Sequence, residues 1–349
     1  MSNGTKVLGK DEHIGKRIKE FLLNNALIIT MAVAVIYIAI KNPNFIRTAS
    51  VINILSQTAA YLPAALGIGG CIVLTGTDLS AGRVVGLTAC ISASLLQNAA
   101  NVANKMWPQI GTLPIPVVIL LAMMIGALVG CFNGFFVAKF KLHPFIVTLG
   151  TQLILYTCLL LYVQQGNNKG MAISNLDASY TNFVKGALFK IKGVPVPRYV
   201  LFAIILTAIM WFIWNKTTFG KNMFAVGSSP EAANVSGVNV MKTTILVHTL
   251  AGCMYGITGF IESARIGSNQ AGTGLNYECD AIAACVIGGV SFVGGTGKIS
   301  GVVLGVFILR IIFVALQFLA VSQNMQYVIK GLIILIACAI DMRKYLVRK

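Results

Sequence analysis

The side chains most able to do chemistry in the first half of this sequence are Asp78 and Ser80, a carboxylate close to a hydroxyl. They lie in the glycine-containing stretch Thr75–Gly82, between two long apolar runs. A carboxylate buried at such a depth is costly and is usually functional, for example as part of a polar path or an ion site. At the end of a helix the same carboxylate would instead cap the next helix. The sequence leaves both roles open, and they are compatible with each other.

A second glycine-rich stretch, Gly288–Gly297, occupies a corresponding place in the second half of the chain and contains Ser291. Paired interruptions of apolar helices in the two halves of a chain are typical of a transport path built from two structural repeats. Tight turns between ordinary membrane helices explain the same pattern, because glycine is common in such helices. Both interpretations stay open at this point.

Other polar side chains are scattered inside the apolar runs. They are Gln57, Asn133, Thr148, Gln152 and His248. They fit either a polar path for a hydroxyl-rich solute or hydrogen bonds between helices, and for each residue taken singly the second interpretation is favoured. Arg310 lies near the middle of its run, where an unpaired cation is expensive, so we expect Glu278 or Asp280 to pair with it.

The sequence lacks the usual motifs of enzymes, nucleotide sites and metal sites. The stretch Gly294–Ser300 resembles a phosphate-binding loop, but Phe292 replaces the first glycine of that motif and Ile299 replaces its hydroxyl residue. The three histidines are far apart and the eight cysteines form no C-x-x-C pair, so neither a metal site nor a disulfide framework is indicated. No H-E-x-x-H pair or G-x-S-x-G elbow is present. We therefore expect no catalytic residue, no cofactor and no metal.

The composition is that of a polytopic membrane protein of the all-α class. Hydrophobic residues make up 56% of the 349-residue chain and charged residues 11%, and the mean hydropathy is +0.81. A soluble domain has about 25% charged residues, so this chain lacks the polar side chains to cover a soluble fold. The net charge of +17 comes from 27 Lys and Arg residues against 10 Asp and Glu residues. Because basic residues mark the cytoplasmic loops of membrane proteins, this charge predicts membrane loops rather than nucleic-acid binding.

About ten apolar runs have a length near the 20 residues that a helix needs to cross a bilayer. They cover approximately residues 22–40, 52–75, 84–100, 115–138, 144–164, 199–215, 243–264, 279–296, 299–320 and 327–342. Lys and Arg are more numerous on the side that carries both termini, which predicts cytoplasmic tails over 1–21 and 343–349. The membrane domain then covers 22–342 and has a long outer loop over 165–198.

The longest predicted cytoplasmic loop, 216–242, contains a signal for a short helix. Ser229 precedes Pro230 and Glu231, which is the order of an N-cap, a first-turn proline and a first-turn acid. Gly237 offers a left-handed stop to such a helix. The pattern predicts a helix of about two turns, which is marginal alone in water and should need a partner surface.

The same loop resembles the EAA loop of ABC importer permeases, the coupling helix that docks on the ATPase subunit. The resemblance rests on Glu231, Ala232, Ala233 and Gly237 in the order Glu-Ala-Ala-x-x-x-Gly, whereas the usual downstream proline element is absent. Longer stretches resemble the monosaccharide permeases of the ribose/galactose branch, above all the galactose/methyl-galactoside members. They are residues 74–87, 145–151, 214–240, 277–306 and 326–337. The outer loop is least similar, and Arg310 departs from the family pattern.

This resemblance implies a permease subunit of an ATP-driven importer that moves a monosaccharide across the bacterial inner membrane by alternating access. Galactose or a methyl galactoside is the expected sugar, with glucose as a further candidate and ribose as the alternative. An ion-coupled carrier that uses Asp78 is the alternative of another class. The implied partners are a second copy of the chain, a cytosolic ATP-binding subunit that carries the ATPase activity, and a periplasmic sugar-binding protein.

The resemblance also implies roles for individual residues. Glu231 would supply the docking charge, while Ala232, Ala233 and Gly237 would permit close approach of the ATPase subunit. The residues expected along the transport path are Asp78, Ser80, Gln57, Asn133, Gln152 and Ser291. The outer loop 165–198 would contact the binding protein or lie on the lipid headgroups.

Overall fold

The structure, a computed structural model, describes residues 35–98, 100 and 105–346, and it consists mainly of helices packed side by side. In chain order the elements are α1 (Thr48–Val73), α2 (Ala81–Leu95), α3 (Ile115–Phe140), α4 (Pro144–Val163), α5 (Ala178–Lys185), β1 (Ala187–Ile191), β2 (Val194–Pro197), α6 (Tyr199–Lys216), α7 (Thr218–Ser228), α8 (Pro230–Val235), α9 (Val240–Ile266), α10 (Tyr277–Ile287), α11 (Ile299–Phe318) and α12 (Gln323–Leu346). Residues 35–41 are also helical, and a short 3₁₀ helix follows at Pro43–Ile46. The predicted helical membrane fold is confirmed.

Six helices of the described part are long and apolar enough to cross a membrane. They are α1, α3, α4, α6, α9 and α11. The helices α2 and α12 are apolar over shorter lengths. The predicted run 22–40 lies mostly outside the described residues, and the predicted run 279–296 is helical only to Ile287. Gly288 and Gly289 follow, and because Gly289 has a φ of +80°, the chain turns away there. The count of ten spans and the side of the termini stay predictions.

The helices differ in how much of their surface faces outward. In its most apolar window α1 is 72% buried, which places it at the centre, whereas the corresponding windows of α3 and α6 are only 22% buried. Large apolar side chains such as Leu120, Leu128 and Phe212 are exposed on the latter helices. Hydrocarbon suits these surfaces, because their backbone hydrogen bonds are made within each helix.

Helices α3 and α9 approach so closely that only glycine fits at their contact. A Cβ atom at Gly126 would lie 2.0 Å from the Gly252 carbonyl oxygen, and a Cβ atom at Gly252 would lie 2.0 Å from the Gly126 carbonyl oxygen. Four residues after Gly126, a Cβ atom at Gly130 would lie 2.1 Å from the carbonyl oxygen of His248. Small residues at this spacing are typical of tightly packed membrane helices. The two helices therefore form one rigid unit.

The predicted outer loop 165–198 folds into α5 and an antiparallel hairpin of β1 and β2. The Asp177 carboxylate caps α5 by accepting a hydrogen bond of 2.8 Å from the Ser179 backbone N–H. Ile173 pairs through its backbone with Asn269, just beyond the end of α9. The loop therefore lies at the end of α9 that is farthest from α8.

Candidate functional site

The short helix α8 forms where the sequence predicts it. Its N-cap is Ser229, whose Oγ accepts a hydrogen bond of 3.2 Å from the Ala232 backbone N–H. The Ser229 hydroxyl also donates a hydrogen bond of 3.3 Å to the Glu231 carboxylate. After the helix, Gly237 has a φ of +82°, and the Val238 N–H donates to the Ala233 carbonyl oxygen at 3.0 Å. Local capping at both ends therefore defines this six-residue helix.

One face of α8 is open to solvent and the other packs on the chain. The side chains of Glu231 and Ala232 are exposed, and Val235 is 89% exposed. A Cβ atom at Gly237 would have no neighbour within 4 Å, so the space around this residue is open. Ala233 is only 4% exposed. Glu231, Ala232, Val235 and Gly237 therefore form the solvent-exposed face of α8, while Ala233 faces the interior of the chain.

The end of α7, directly before α8, packs against the end of α1 and the second glycine-rich stretch. The Gly295 N–H donates a hydrogen bond of 2.9 Å to the Val73 carbonyl oxygen at the end of α1. A Cβ atom at Gly227 would lie 1.9 Å from this same oxygen, and a Cβ atom at Gly295 would lie 2.1 Å from Ser228 Oγ. A Cβ atom at Gly294 would lie 2.3 Å from Thr75 Cγ2. These contacts, called the glycine junction below, join the end of α7 to Val73 and Gly295 at backbone distance, and the Thr75 side chain extends them to the first glycine-rich stretch.

A buried hydrogen-bond network surrounds Asp78. Its Oδ1 atom accepts from the Ser80 N–H at 2.9 Å and from the Ser80 hydroxyl at 2.6 Å. The Asn133 amide donates to Ser80 Oγ at 2.9 Å, and the Thr151 hydroxyl donates to Asn133 Oδ1 at 2.6 Å. All four side chains are buried, so the network is closed to solvent in this conformation. Asp78 supports the turn that precedes α2, and the network ties that turn to α3 and α4.

The remaining residues expected along the path lie apart from this network. Gln152 is half-buried on α4, and Ser291 is buried in the second glycine-rich stretch, where its Oγ accepts from the Val293 N–H at 3.2 Å. Gln57 lines a separate cavity. Among the six predicted path residues, Asp78, Ser80 and Asn133 are therefore hydrogen-bonded together, whereas Gln57 lines the separate cavity.

The cavity that contains Gln57 has a volume of about 610 Å³ and is lined by α1 and α9–α12. Its charged side chains are paired. Arg310 Nη2 lies 2.7 Å from Asp280 Oδ2, and Lys330 Nζ lies 2.5 Å from Asp280 Oδ1. The Arg265 guanidinium makes two hydrogen bonds of 2.6 Å to the Glu262 carboxylate. Of the two partners expected for Arg310, the structure selects Asp280.

The cavity and α8 lie at opposite ends of α9. This helix begins at Val240, shortly after α8, and Glu262 and Arg265 belong to its last turns. At 1.5 Å per residue, Glu262 lies about 33 Å along the axis from Val240. The backbone pairing of Ile173 with Asn269 places the loop 165–198 at the same end as the cavity.

Comparison with known proteins connects these features to a family. Residues 50–338 match the family described as branched-chain amino acid transport system / permease component. The chain belongs to this permease family. The permease is 42% identical over 330 residues to the galactose/methyl galactoside import permease protein of Haemophilus influenzae, covering 95% of this chain and 97% of that protein. It is 43% identical to the Escherichia coli K12 protein of the same name, over 94% of this chain and 97% of that protein. It is 32% identical to the ribose import permease protein of the same strain, over 93% of this chain and 96% of that protein. No solved structure matches.

Sequence reasoning missed two features of the permease. The glycine junction was not predicted, because Gly227 carries no side chain and its close neighbour Val73 is remote in the sequence. The sequence pointed to the cavity through Gln57 and through Arg310 with its expected partner Asp280, but it did not indicate that these residues line one cavity. Within the described residues, no group of three metal-ligating side chains occurs.

Proposed function

We propose that this permease is the membrane-spanning subunit of an ATP-driven importer that brings galactose or a methyl galactoside into the cell. Two relatives with that printed function are 42% and 43% identical over nearly the full chain, against 32% for the ribose permease. The observation that carries the proposal is the exposed helix α8, capped at both ends and joined directly to the glycine junction. A carrier that relied on its own ion site would need no such helix.

The exposed face of α8 is the proposed docking surface for a cytosolic ATP-binding subunit, which holds the ATPase activity. Glu231 would offer a charge to this partner, while Ala232 and Gly237 would allow the two backbones to approach closely. Val235 adds a small apolar contact, because it is 89% exposed in the free chain. Ala233 is buried and holds the helix against the permease instead.

Movement of α8 is proposed to reach the membrane helices through the glycine junction. The segments around Val73, Gly227 and Gly295 touch at backbone distance, so a displacement of α8 cannot be absorbed by flexible side chains. The junction contacts the end of α1 and both glycine-rich stretches. ATP-driven closure of the ATPase subunits would therefore tilt α1 and its neighbours and open the path to the outer side.

The remaining partners follow from the same proposal. A second copy of the permease would complete the membrane unit, and a periplasmic sugar-binding protein would deliver sugar at the end that carries the cavity and the loop 165–198. The basic and apolar side chains of the hairpin, such as Lys190 and Phe189, are exposed there. The bacterial inner membrane is the location that the permease family and the apolar helices support.

The test is uptake of labelled galactose and ribose into liposomes that hold the permease with the ATP-binding subunit and the binding protein from its own genome. We expect galactose uptake that requires ATP and all three components. Faster uptake of ribose would make ribose the transported sugar, and the chain would still be a subunit of an ATP-driven importer. Uptake by the permease alone, driven by an ion gradient, would overturn the class and direct attention to Asp78.

A further inference from the structure

The cavity of about 610 Å³ has the position expected of a solute site. It lies at the end of α9 that is remote from α8, beside the segment that pairs with the loop 165–198. Its volume falls within the range of about 300–1,000 Å³ typical of pockets for small molecules. Five helices line it, so a solute bound there would contact elements that move relative to one another during alternating access.

The charges of the cavity disfavour a cationic solute. Both acids, Glu262 and Asp280, are already paired with cations, so no carboxylate is left to bind a cationic solute. The neighbouring Gln57 and Gln326 add amides, which can both donate and accept hydrogen bonds. A sugar hydroxyl also does both, so this lining suits a hydroxyl-rich molecule better than a cation.

Arg310 is the feature that points most directly to a ligand. It is 4% exposed and lines the cavity, yet its Nε–H has no hydrogen-bond partner among the described residues. The guanidinium is held rigidly, because it pairs with Asp280 and stacks on Tyr61, with Cζ 3.7 Å from the ring centroid. A buried donor without a partner is unfavourable. The Nε atom is itself buried, so an acceptor supplied by a solute reaches this donor only when the side chains around it move apart.

We infer that this cavity is a binding site for the transported monosaccharide, in which Arg310 donates a hydrogen bond from Nε to a sugar hydroxyl. The inference rests on the proposed function, since it assigns the sugar of that function to a place in the permease. Gln57 and Gln326 are the further polar contacts of the site. With about 12 non-hydrogen atoms, a hexose bound this way is expected to have a dissociation constant near the millimolar range. Such weak binding suits a site through which the sugar passes.

The experiment measures protection of cavity cysteines by galactose in the complete complex of permease, ATP-binding subunit and nanodisc lipid. Gln326→Cys is reacted with a membrane-impermeant thiol reagent while galactose is raised to about 100 mM, well above the expected dissociation constant. Ser179→Cys on α5 is the matched control, because Ser179 is exposed at the same end but does not line the cavity. The unsubstituted chain gives the background of the native cysteines.

We expect galactose to slow the labelling of Gln326→Cys at least severalfold and to leave Ser179→Cys unchanged. Adding Arg310→Lys keeps the positive charge but removes the Nε donor, so about tenfold more galactose should be needed for the same protection. A second reporter, Gln57→Cys, covers the case in which Gln326→Cys does not fold. Equal labelling with and without galactose at both positions, or unchanged protection in Arg310→Lys, would overturn the inference.

The failure of this inference is distinguishable from a failure of the proposed function. ATP-dependent galactose uptake by the unsubstituted complex tests the function alone. Uptake without protection at Gln326→Cys and Gln57→Cys would keep the function and remove the site. Absence of uptake of both galactose and ribose would remove the function and, with it, the role assigned to the cavity.

Discussion

The glycine junction gives the sharpest prediction about how the permease works. In Gly227→Ala the added Cβ atom would lie 1.9 Å from the Val73 carbonyl oxygen and 2.9 Å from the Gly295 nitrogen. Both neighbours are backbone atoms, which cannot rotate away. Overpacking of this kind costs about 1–3 kcal/mol, and loss of the hydrogen bond between Gly295 and Val73 adds about 0.5–1.5 kcal/mol. The contact is therefore expected to weaken by about 1.5–4.5 kcal/mol in total.

The expected consequence is loss of coupling. When α7 separates from Val73 and Gly295, movement of α8 no longer reaches the ends of the membrane helices. ATP hydrolysis by the complex should continue, whereas ATP-driven sugar uptake should fall strongly. Both rates are measured on the same liposomes, and the amount of inserted chain is measured by immunoblot.

The matched control is Gly150→Ala on α4, where a Cβ atom would have no neighbour within 4 Å. This control removes the flexibility of a glycine without adding a clash, so its uptake should equal that of the unsubstituted permease. Normal uptake by Gly227→Ala, or an equal loss in Gly150→Ala, would refute the argument that backbone contact at Gly227 transmits the movement.

Three further predictions concern the docking helix, the ion pairs of the cavity and the buried network. Glu231→Ala and Gly237→Val should each abolish ATP-driven uptake without loss of membrane insertion. The first variant removes the docking charge, and the second forces a branched side chain into a left-handed conformation. Normal uptake in both variants would contradict the docking role. Asp280→Asn should lower the free energy of unfolding by about 3–5 kcal/mol, since Arg310 loses its buried counter-ion, and adding Arg310→Met should recover part of that loss. Denaturant unfolding in detergent measures both variants. An unchanged unfolding midpoint for Asp280→Asn would show that the ion pair is dispensable for stability. Asn133→Ala should cost about 1–3 kcal/mol in the same assay because it removes two buried hydrogen bonds, one to Ser80 and one from Thr151. Equal unfolding would mean that the network does not stabilise the turn.

Features set by local chemistry were predictable from the sequence. The run predicted over 243–264 became α9 at Val240–Ile266, because hydropathy marks the part of a helix that lies in lipid. The cap at Ser229 and the left-handed Gly237 were also predicted, since capping depends only on neighbouring residues. The order of Pro230 and Glu231 after that cap was sufficient to place α8.

Features that depend on which surfaces meet could not be predicted. Glu278 and Asp280 were equal candidates to pair with Arg310, because residues two apart point to different sides of a helix and the side facing α11 was unknown. In the structure Asp280 lies on the side of its helix that faces Arg310 and forms the ion pair with it. From the sequence, Gly227 was equally compatible with a turn or with a close contact. Its close contact becomes visible only in the structure, where α7 meets Val73 and Gly295, which are remote from it in the sequence.

The two candidate sites are linked by a rigid path through the molecule. Helix α9 starts near α8 and ends in the cavity, where Glu262 and Arg265 belong to the wall. The contact of Gly126 with Gly252 opposes sliding of α9 along α3. Sliding would place a residue with a side chain where one of these glycines now lies, against a backbone carbonyl oxygen. Under the proposed function, a tilt of α8 would be transmitted to the cavity by α3 and α9, while the glycine junction would transmit it to α1. Since α1 supplies Gln57 and Tyr61 to the opposite wall, the two routes would move the walls of one cavity relative to each other, which is the change that alternating access requires.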